Sequence, residues 1–104
     1  MSGSLHFEWD DKKNKINIKK HGVDFNDAIL VFNDEYRLED LDEEHSDYEE
    51  RWQIIGMVDN VLFVIYTERE DVKRIISARH AEKAEEDRYY VNRARLFIER
   101  CKTD

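Results

Sequence analysis

The sequence predicts an α+β domain in which a small antiparallel sheet packs against N-terminal helices and a C-terminal helix. Three runs, 51–57, 61–67 and 72–79, are rich in β-branched and aromatic residues and are separated by short polar turns, as in an antiparallel meander. Capped helical segments precede that meander and a long stretch of helix formers follows it. The chain has 104 residues, three Gly and no Pro, so one continuous core over residues 1–104 is expected, with no linker dividing it.

In chain order, Leu5-His6-Phe7-Glu8-Trp9 alternates apolar and polar side chains, the mark of a short half-buried strand with Trp9 packing inward. Asp10 or Asp11 caps a short basic helix, and Gly22 after His21 supplies its left-handed stop. A second helix begins at Asp24, with Asp27 in capping-box position and Val23 stapled to Ala28. Phe25, Ala28, Ile29 and Phe32 form its apolar face. Tyr36, Leu38 and Leu41 allow a strand inside the acidic stretch that follows. Asp59-Asn60 turns the first meander strand into Val61–Thr67, expected at the centre of the sheet and buried on both faces. From about Glu82 to Cys101, Ala84, Val91, Ala94, Ile98 and Cys101 form a stripe expected to cover the sheet.

Composition narrows the function classes. At 40% hydrophobic and 40% charged the chain is too apolar to be disordered. Seventeen Lys and Arg against twenty-five Asp and Glu give a net charge of −8, which repels nucleic acid at long range. The acidity is local, however: residues 21–50 hold twelve acids and one base, Arg37, whereas residues 1–20 hold five bases and three acids. No apolar run approaches a membrane span of about 18 residues or a secretory signal. The lone Cys101 forms no internal disulfide and reads as a packed thiol, so a cytoplasmic location is expected. The opening Met1-Ser2-Gly3-Ser4 resembles an expression scar and carries no functional reading.

Several site types are missing. There is no glycine-rich phosphate loop, no paired-Cys zinc pattern and no nucleophile elbow. The histidines at 6, 21, 45 and 80 lack the i, i+4 spacing of a helical metal pair. Asp40, Asp42, Glu43, Glu44 and Asp47 lack a calcium loop with its central Gly and read as a solvated charge run, so neither metal nor cofactor is implied.

The positive and aromatic side chains are more informative. Tyr66, Arg69, Arg74 and Arg79 fall at or near strand ends, and Arg51 with Trp52 opens the first meander strand. Strict alternation puts Arg74 and Arg79 on opposite faces unless a bulge intervenes. Arg79 is the stronger site candidate because it sits where strand becomes loop. An arginine fork binds phosphate with two hydrogen bonds and stabilises charge developing on its oxygens, so two arginines in one pocket make a clamp. The competing reading pairs Arg69, Arg74 and Arg79 with Glu68, Glu70, Asp71 or the acids of residues 82–86. Alone, Tyr66 and Trp52 read as packing residues, and His21 as a helix-end residue.

Taken together, Phe7-Glu8-Trp9-Asp10, Lys20-His21-Gly22-Val23 with Phe25, Ala28 and Val31-Phe32, Glu49-Glu50-Arg51-Trp52 with Ile55-Gly56, Tyr66-Thr67-Glu68-Arg69, and Arg74-Ile75-Ile76-Ser77-Ala78-Arg79 closely resemble the BrnT family of toxins. The resemblance runs from about residue 7 to residue 90. It implies a RelE-like fold and a ribonuclease toxin of a type II toxin–antitoxin pair, partnered by a BrnA-like antitoxin that makes any DNA contact through its ribbon-helix-helix domain. It also implies metal-independent endoribonuclease activity, with RNA as substrate and translation as the process stopped. Carried over by motif, the implicated residues are Lys20 and His21, Arg51 and Trp52, Tyr66, Glu68 and Arg69, and Arg79. In that scheme Arg69 and Arg79 hold the phosphate, Glu68 or His21 is the general base, and Lys20 or His21 supplies the other proton transfer or charge. Trp52 positions a base or supports the pocket, with Tyr66 and Arg51 beside it on the substrate.

The net charge of −8 sits awkwardly with RNA binding. Segregation is the expected resolution: the acid block from Asp34 to Glu50 turns away from substrate or meets a basic antitoxin, while Lys12, Lys13, Lys15, Lys19 and Lys20 join the arginines. The alternative is a non-catalytic protein-interaction module on the same fold, with its arginines saturated by acids.

Overall fold

The computed structural model describes residues 5–45 and 49–102. Asp47 and the opening Met1-Ser2-Gly3-Ser4 lie outside the described residues. The order is β1 (His6–Glu8), α1 (Asp11–His21), α2 (Phe25–Ala28) continuing into a 3-10 turn (Ile29–Asn33), β2 (Leu38–Leu41), a second 3-10 turn (Glu43–His45), β3 (Arg51–Val58), β4 (Asn60–Arg69), β5 (Val72–His80) and α3 (Lys83–Cys101). These form the expected α+β fold around a five-stranded sheet of order β1-β5-β4-β3-β2. The meander β3-β4-β5 is antiparallel with β4 at the centre, and β2 extends it antiparallel to β3. β1 departs from the all-antiparallel expectation: it runs parallel to β5. Among the described residues no helix is long and apolar enough to cross a membrane.

The caps at Asp10, Gly22 and Asp24 form as the sequence indicates, whereas the capping box expected at Asp27 does not. The Asp10 carboxylate accepts the backbone N–H groups of Lys12 and Lys13 at 2.8 and 3.1 Å, and those N–H groups hold it below its usual pKa. Gly22, at φ 72°, closes α1 in the left-handed conformation. Asp24 caps α2 by accepting the Asn26 N–H at 2.9 Å.

α1 has almost no apolar face, and buried amides hold it down instead. Asn17 Nδ2 donates to the carbonyls of Val23 and Ala78 at 2.8 Å each, while its Oδ1 accepts the Ala78 N–H at 3.2 Å. β1 pairs only with Val72–Arg74, so the Asn17 amide takes the place of a neighbouring strand farther along β5. Asn14 accepts the Phe25 N–H at 2.9 Å and donates to Asp24 at 3.0 Å, fixing the α1–α2 corner.

α2 gives way to a 3-10 turn after four residues, shorter than the helical face expected through Phe32. With three residues per turn, Val31 follows Ala28 inward. Phe25, Ala28 and Val31 are wholly buried, and Ile29 is only half-buried. They pack with Ile54, Leu62, Val64, Tyr66, Ile75 and Ala78 on one face of the sheet. Gly56 lies under that turn, where a Cβ would meet the Val31 Cβ at 2.9 Å.

α3 packs on the other sheet face, but rotated from the orientation its apolar residues suggest. Ala84, Val91, Ala94, Ile98 and Cys101, expected to cover the sheet, are exposed. The face that packs is Glu85, Tyr89, Asn92, Arg93 and Leu96. Polar anchors set the rotation: the Tyr89 hydroxyl donates to Asp34, Arg88 pairs with Asp40, and Glu85 pairs with Arg79. Tyr89 itself is wholly buried beside Ile55 and Val61. Cys101 is therefore not a packed thiol.

Candidate functional site

Strand register decides which side chains share a surface. Arg51 lies opposite Thr67, Gln53 opposite Ile65 and Ile55 opposite Phe63, so these side chains share one sheet face. On β5 the register slips: Ser77 faces Ile65, yet Ile75 faces Tyr66, leaving Ile76 as an extra residue. This is the bulge on which the arginine placement depended. It puts Arg74, Ser77 and Arg79 on one face, with Arg51, Gln53 and Arg69. That face is opposite α1 and α2, and α3 covers only the end around Ile55 and Val61.

On the uncovered part, a depression of about 360 Å³ is bordered by Arg51, Gln53, Ser77 and Arg79, with Asp42 and His45 at its rim. Arg79 is held by both a carboxylate and an aromatic ring. Its two terminal nitrogens reach Glu85 at 2.8 and 3.0 Å, and its guanidinium lies 4.2 Å above the Phe63 ring. The hydrogen bond to Glu85 raises the Arg79 pKa further. Burial alone would push the Glu85 carboxyl up, but the Arg79 fork and the Glu82 N–H outweigh it and hold it below its usual range.

The Asp42–His45 pair is the feature that sequence reading passed over. Asp42 directly follows β2, and its N–H donates to the Arg51 carbonyl at 2.7 Å, which sets Asp42 beside the start of β3. The 3-10 turn then returns His45 over Asp42, with Nδ1 3.1 Å from the carboxylate. An Asp and a His at i, i+3 after a strand was the available signal, hidden in a run of acids.

The other sequence candidates divide between surfaces. Arg69 sits at the far end of β4, six residues from Phe63, the partner of Arg79, or about 20 Å along the strand. Its guanidinium reaches Glu49 at 2.8 Å, so Arg69 and Arg79 do not close on one phosphate. Arg74 pairs with Glu8 at 2.7 Å beside Arg69, where Glu8, Thr67, Glu70 and Val72 complete a second depression. Glu68, Trp52 and Tyr66 project to the opposite sheet face. Glu68 pairs with Lys73 at 2.8 Å.

Tyr66 is corrected from substrate contact to core. It is 2% exposed, packs edge-on against Phe32, and donates its hydroxyl to Glu39 at 2.8 Å. Burial first, and Glu39 second, push its pKa up. Trp52 packs beside it against the same core. Lys20 and His21 end α1 behind the sheet and do not meet Arg79. Lys20 therefore does not join Arg79.

Nor does the acid block simply face away. Glu35, Asp40 and Glu49 pair with Arg100, Arg88 and Arg69 respectively, and Asp42 borders the arginine depression itself. Much of the acidity fastens β2 and its flanks to α3. Among the described residues no group of three His, Cys, Asp or Glu is placed to hold a metal ion.

A search of curated protein sequences gives no match. Among solved structures, the Brucella abortus ribonuclease toxin BrnT matches with a TM-score of 0.58 and 25% sequence identity, over 77% of this chain and 100% of that one. Residues 9–85 match the family described as ribonuclease toxin, BrnT, of type II toxin-antitoxin system. That span contains Asp42, His45, Arg51, Ser77 and Arg79 and ends in the first turn of α3. The chain belongs to the BrnT family of ribonuclease toxins.

Proposed function

We propose that this chain is a metal-independent endoribonuclease that cuts RNA on the uncovered sheet face. Through that cleavage it stops translation in the cytoplasm, and a BrnA-like antitoxin holds it in check and makes any DNA contact. The observation that carries the reading is the placement of His45, Asp42, Arg51 and Arg79 around one depression. Self-cleavage of RNA at a ribose needs a base, an acid and cations at the phosphorus, and this group supplies each type.

With Nδ1 held by Asp42, His45 exchanges a proton through Nε2. It takes the proton of a ribose 2′-hydroxyl, whose oxygen attacks the adjacent phosphorus. The P–O5′ bond breaks, the protonated His45 gives up the proton it took to the departing 5′ oxygen, and the products are a 2′,3′-cyclic phosphate and a 5′-hydroxyl. Arg51 and Arg79 stabilise the added charge on the phosphoryl oxygens, Arg79 through the guanidinium N–H groups that its fork on Glu85 leaves over. Arg69 and Arg74 hold the RNA strand farther along the same face. This scheme keeps Arg51, Arg69 and Arg79 from the motif assignment and gives proton transfer to His45 in place of His21, Lys20 and Glu68.

Cleavage of a defined RNA in excess EDTA, with product ends analysed, tests the reading. Cyclic phosphate ends are expected, with activity falling about 100-fold or more in His45→Ala. Wild-type rates from folded His45→Ala and Arg79→Ala variants overturn it. One observation favours the second reading, a non-catalytic interaction module: Arg69, Arg74 and Arg79 are each already paired with an acid. A folded, partner-free chain that neither binds nor cuts RNA decides for that module.

A further inference from the structure

Beyond the family span, α3 carries an exposed apolar surface that touches the described core only where Tyr90 meets Tyr89 edge-on. Tyr90, Val91, Phe97 and Ile98 are 48, 69, 58 and 53% exposed, and Ala94 and Cys101 are exposed between them. Tyr90, Ala94, Phe97 and Cys101 follow the 4-3-4 spacing of a helix–helix seam, with Val91 and Ile98 widening it. The stripe runs about 16 Å along the helix and turns away from the buried Tyr89. An apolar helix face of this size on an otherwise highly charged chain is a protein-contact surface in waiting.

We infer that this stripe is the seat of the antitoxin, occupied by an amphipathic helix that carries acidic side chains beside its own apolar stripe. The inference rests on the toxin–antitoxin reading and adds where the partner docks and what chemistry it presents. Charge selects the occupant. Residues 88–102 hold five bases, Arg88, Arg93, Arg95, Arg100 and Lys102, and one acid, Glu99; Arg88, Arg95 and Arg100 pair with Asp40, Glu99 and Glu35, while Arg93 and Lys102 have no acid partner among the described residues. Arg93 and Arg100 border one edge of the stripe and Arg95 and Lys102 the other, by helical spacing. Two copies of α3 would set these bases against each other, whereas an acidic helix complements them. The site lies away from the Arg79 depression, so a partner seated here reaches that depression only through another part that crosses the sheet.

The test uses the full chain and its cognate antitoxin. Phe97→Asp/Ile98→Asp, both on exposed positions, should keep the wild-type melting temperature and weaken antitoxin binding at least tenfold. A polarity-sensitive dye on Cys101, the one cysteine, should blue-shift when antitoxin is added to the otherwise unaltered chain. Wild-type affinity in the double variant, or an unchanged dye signal on a complex that does form, overturns the docking surface while leaving the toxin–antitoxin reading intact. No complex with the unaltered chain overturns both. A dimer of the chain alone that the double variant abolishes replaces the antitoxin by a second copy and overturns the assignment.

Discussion

Asp42 and His45 form a pair in which one member is hidden and the other presented: Nδ1 lies 3.1 Å from Oδ2, and their side chains are 9% and 63% exposed. A secluded carboxylate is tolerated when it is hydrogen-bonded, and here the bond also fixes the ring that faces Arg51 and Arg79. Without touching substrate, such a carboxylate orients the imidazole and stabilises the imidazolium that forms when the ring takes a proton.

Asp42→Asn should therefore lower RNA cleavage by about 10–100-fold through His45 misorientation, against about 100-fold or more for His45→Ala. If the two act as a unit, the double variant is no slower than His45→Ala alone, as single-turnover rates would show. Multiplying losses would separate the two residues.

Arg79 holds the α3 N-terminus as well as bordering the depression. Its fork on Glu85 and its position over Phe63 predict a loss of about 1–3 kcal/mol for Arg79→Ala, read from urea unfolding. Arg79→Lys keeps the charge but loses the planar fork, so it should recover part of the stability and little of the cleavage.

Glu85 makes stability depend on pH. Its folded pKa is lowered from 4.5, so its contribution is present above that value and is lost as pH falls through the folded value. Glu85→Gln should flatten the stability profile below about pH 4.5 and leave its shape near neutrality unchanged. Identical acid limbs in the two proteins by thermal melts would disprove the linkage.

Asn17→Ala removes an amide that satisfies the Val23 carbonyl and both backbone groups of Ala78. A loss of about 2–4 kcal/mol is expected, with faster hydrogen exchange at Ala78. Gly56→Ala should cost about 1–3 kcal/mol for a different reason, since its new Cβ meets the Val31 Cβ at 2.9 Å and the Val31 carbonyl at 3.1 Å. Melting temperatures measured on both variants check these values.

Tyr66→Phe separates the aromatic roles. Because Tyr66 is core and faces α2, the change should leave RNA affinity unaltered and destabilise by about 1–2 kcal/mol through the lost bond to Glu39. A selective fall in RNA affinity, measured by fluorescence polarisation, would return Tyr66 to the substrate.

The meander was legible because Val61–Thr67 and its neighbours carry period-two patterns and turn residues that act locally. The caps at Asp10 and Gly22 were legible for the same reason: a carboxylate near free N–H groups and a residue at positive φ need no distant partner. α3 was legible as a helix but not in its rotation. Its packing face is held by Glu85, Tyr89 and Asn92, while its apolar residues point outward, so the hydrophobic stripe identified a face without saying what covers it. Asp42 and His45 were hidden because each resembles an ordinary member of an acidic run.

Sequence alone determined the elements, their order, the family likeness and the identity of arginine as the charge available for phosphate, because these depend on short-range pattern and side-chain chemistry. Tertiary structure decided which chemistry shares a surface. The β5 bulge brings Arg74 and Arg79 to one sheet face, the register separates Arg69 from Arg79 by several residue pairs, and the turn after β2 sets His45 beside Arg51. A strand's side chains alternate strictly, so one extra residue or one offset in pairing moves a functional group to the opposite surface.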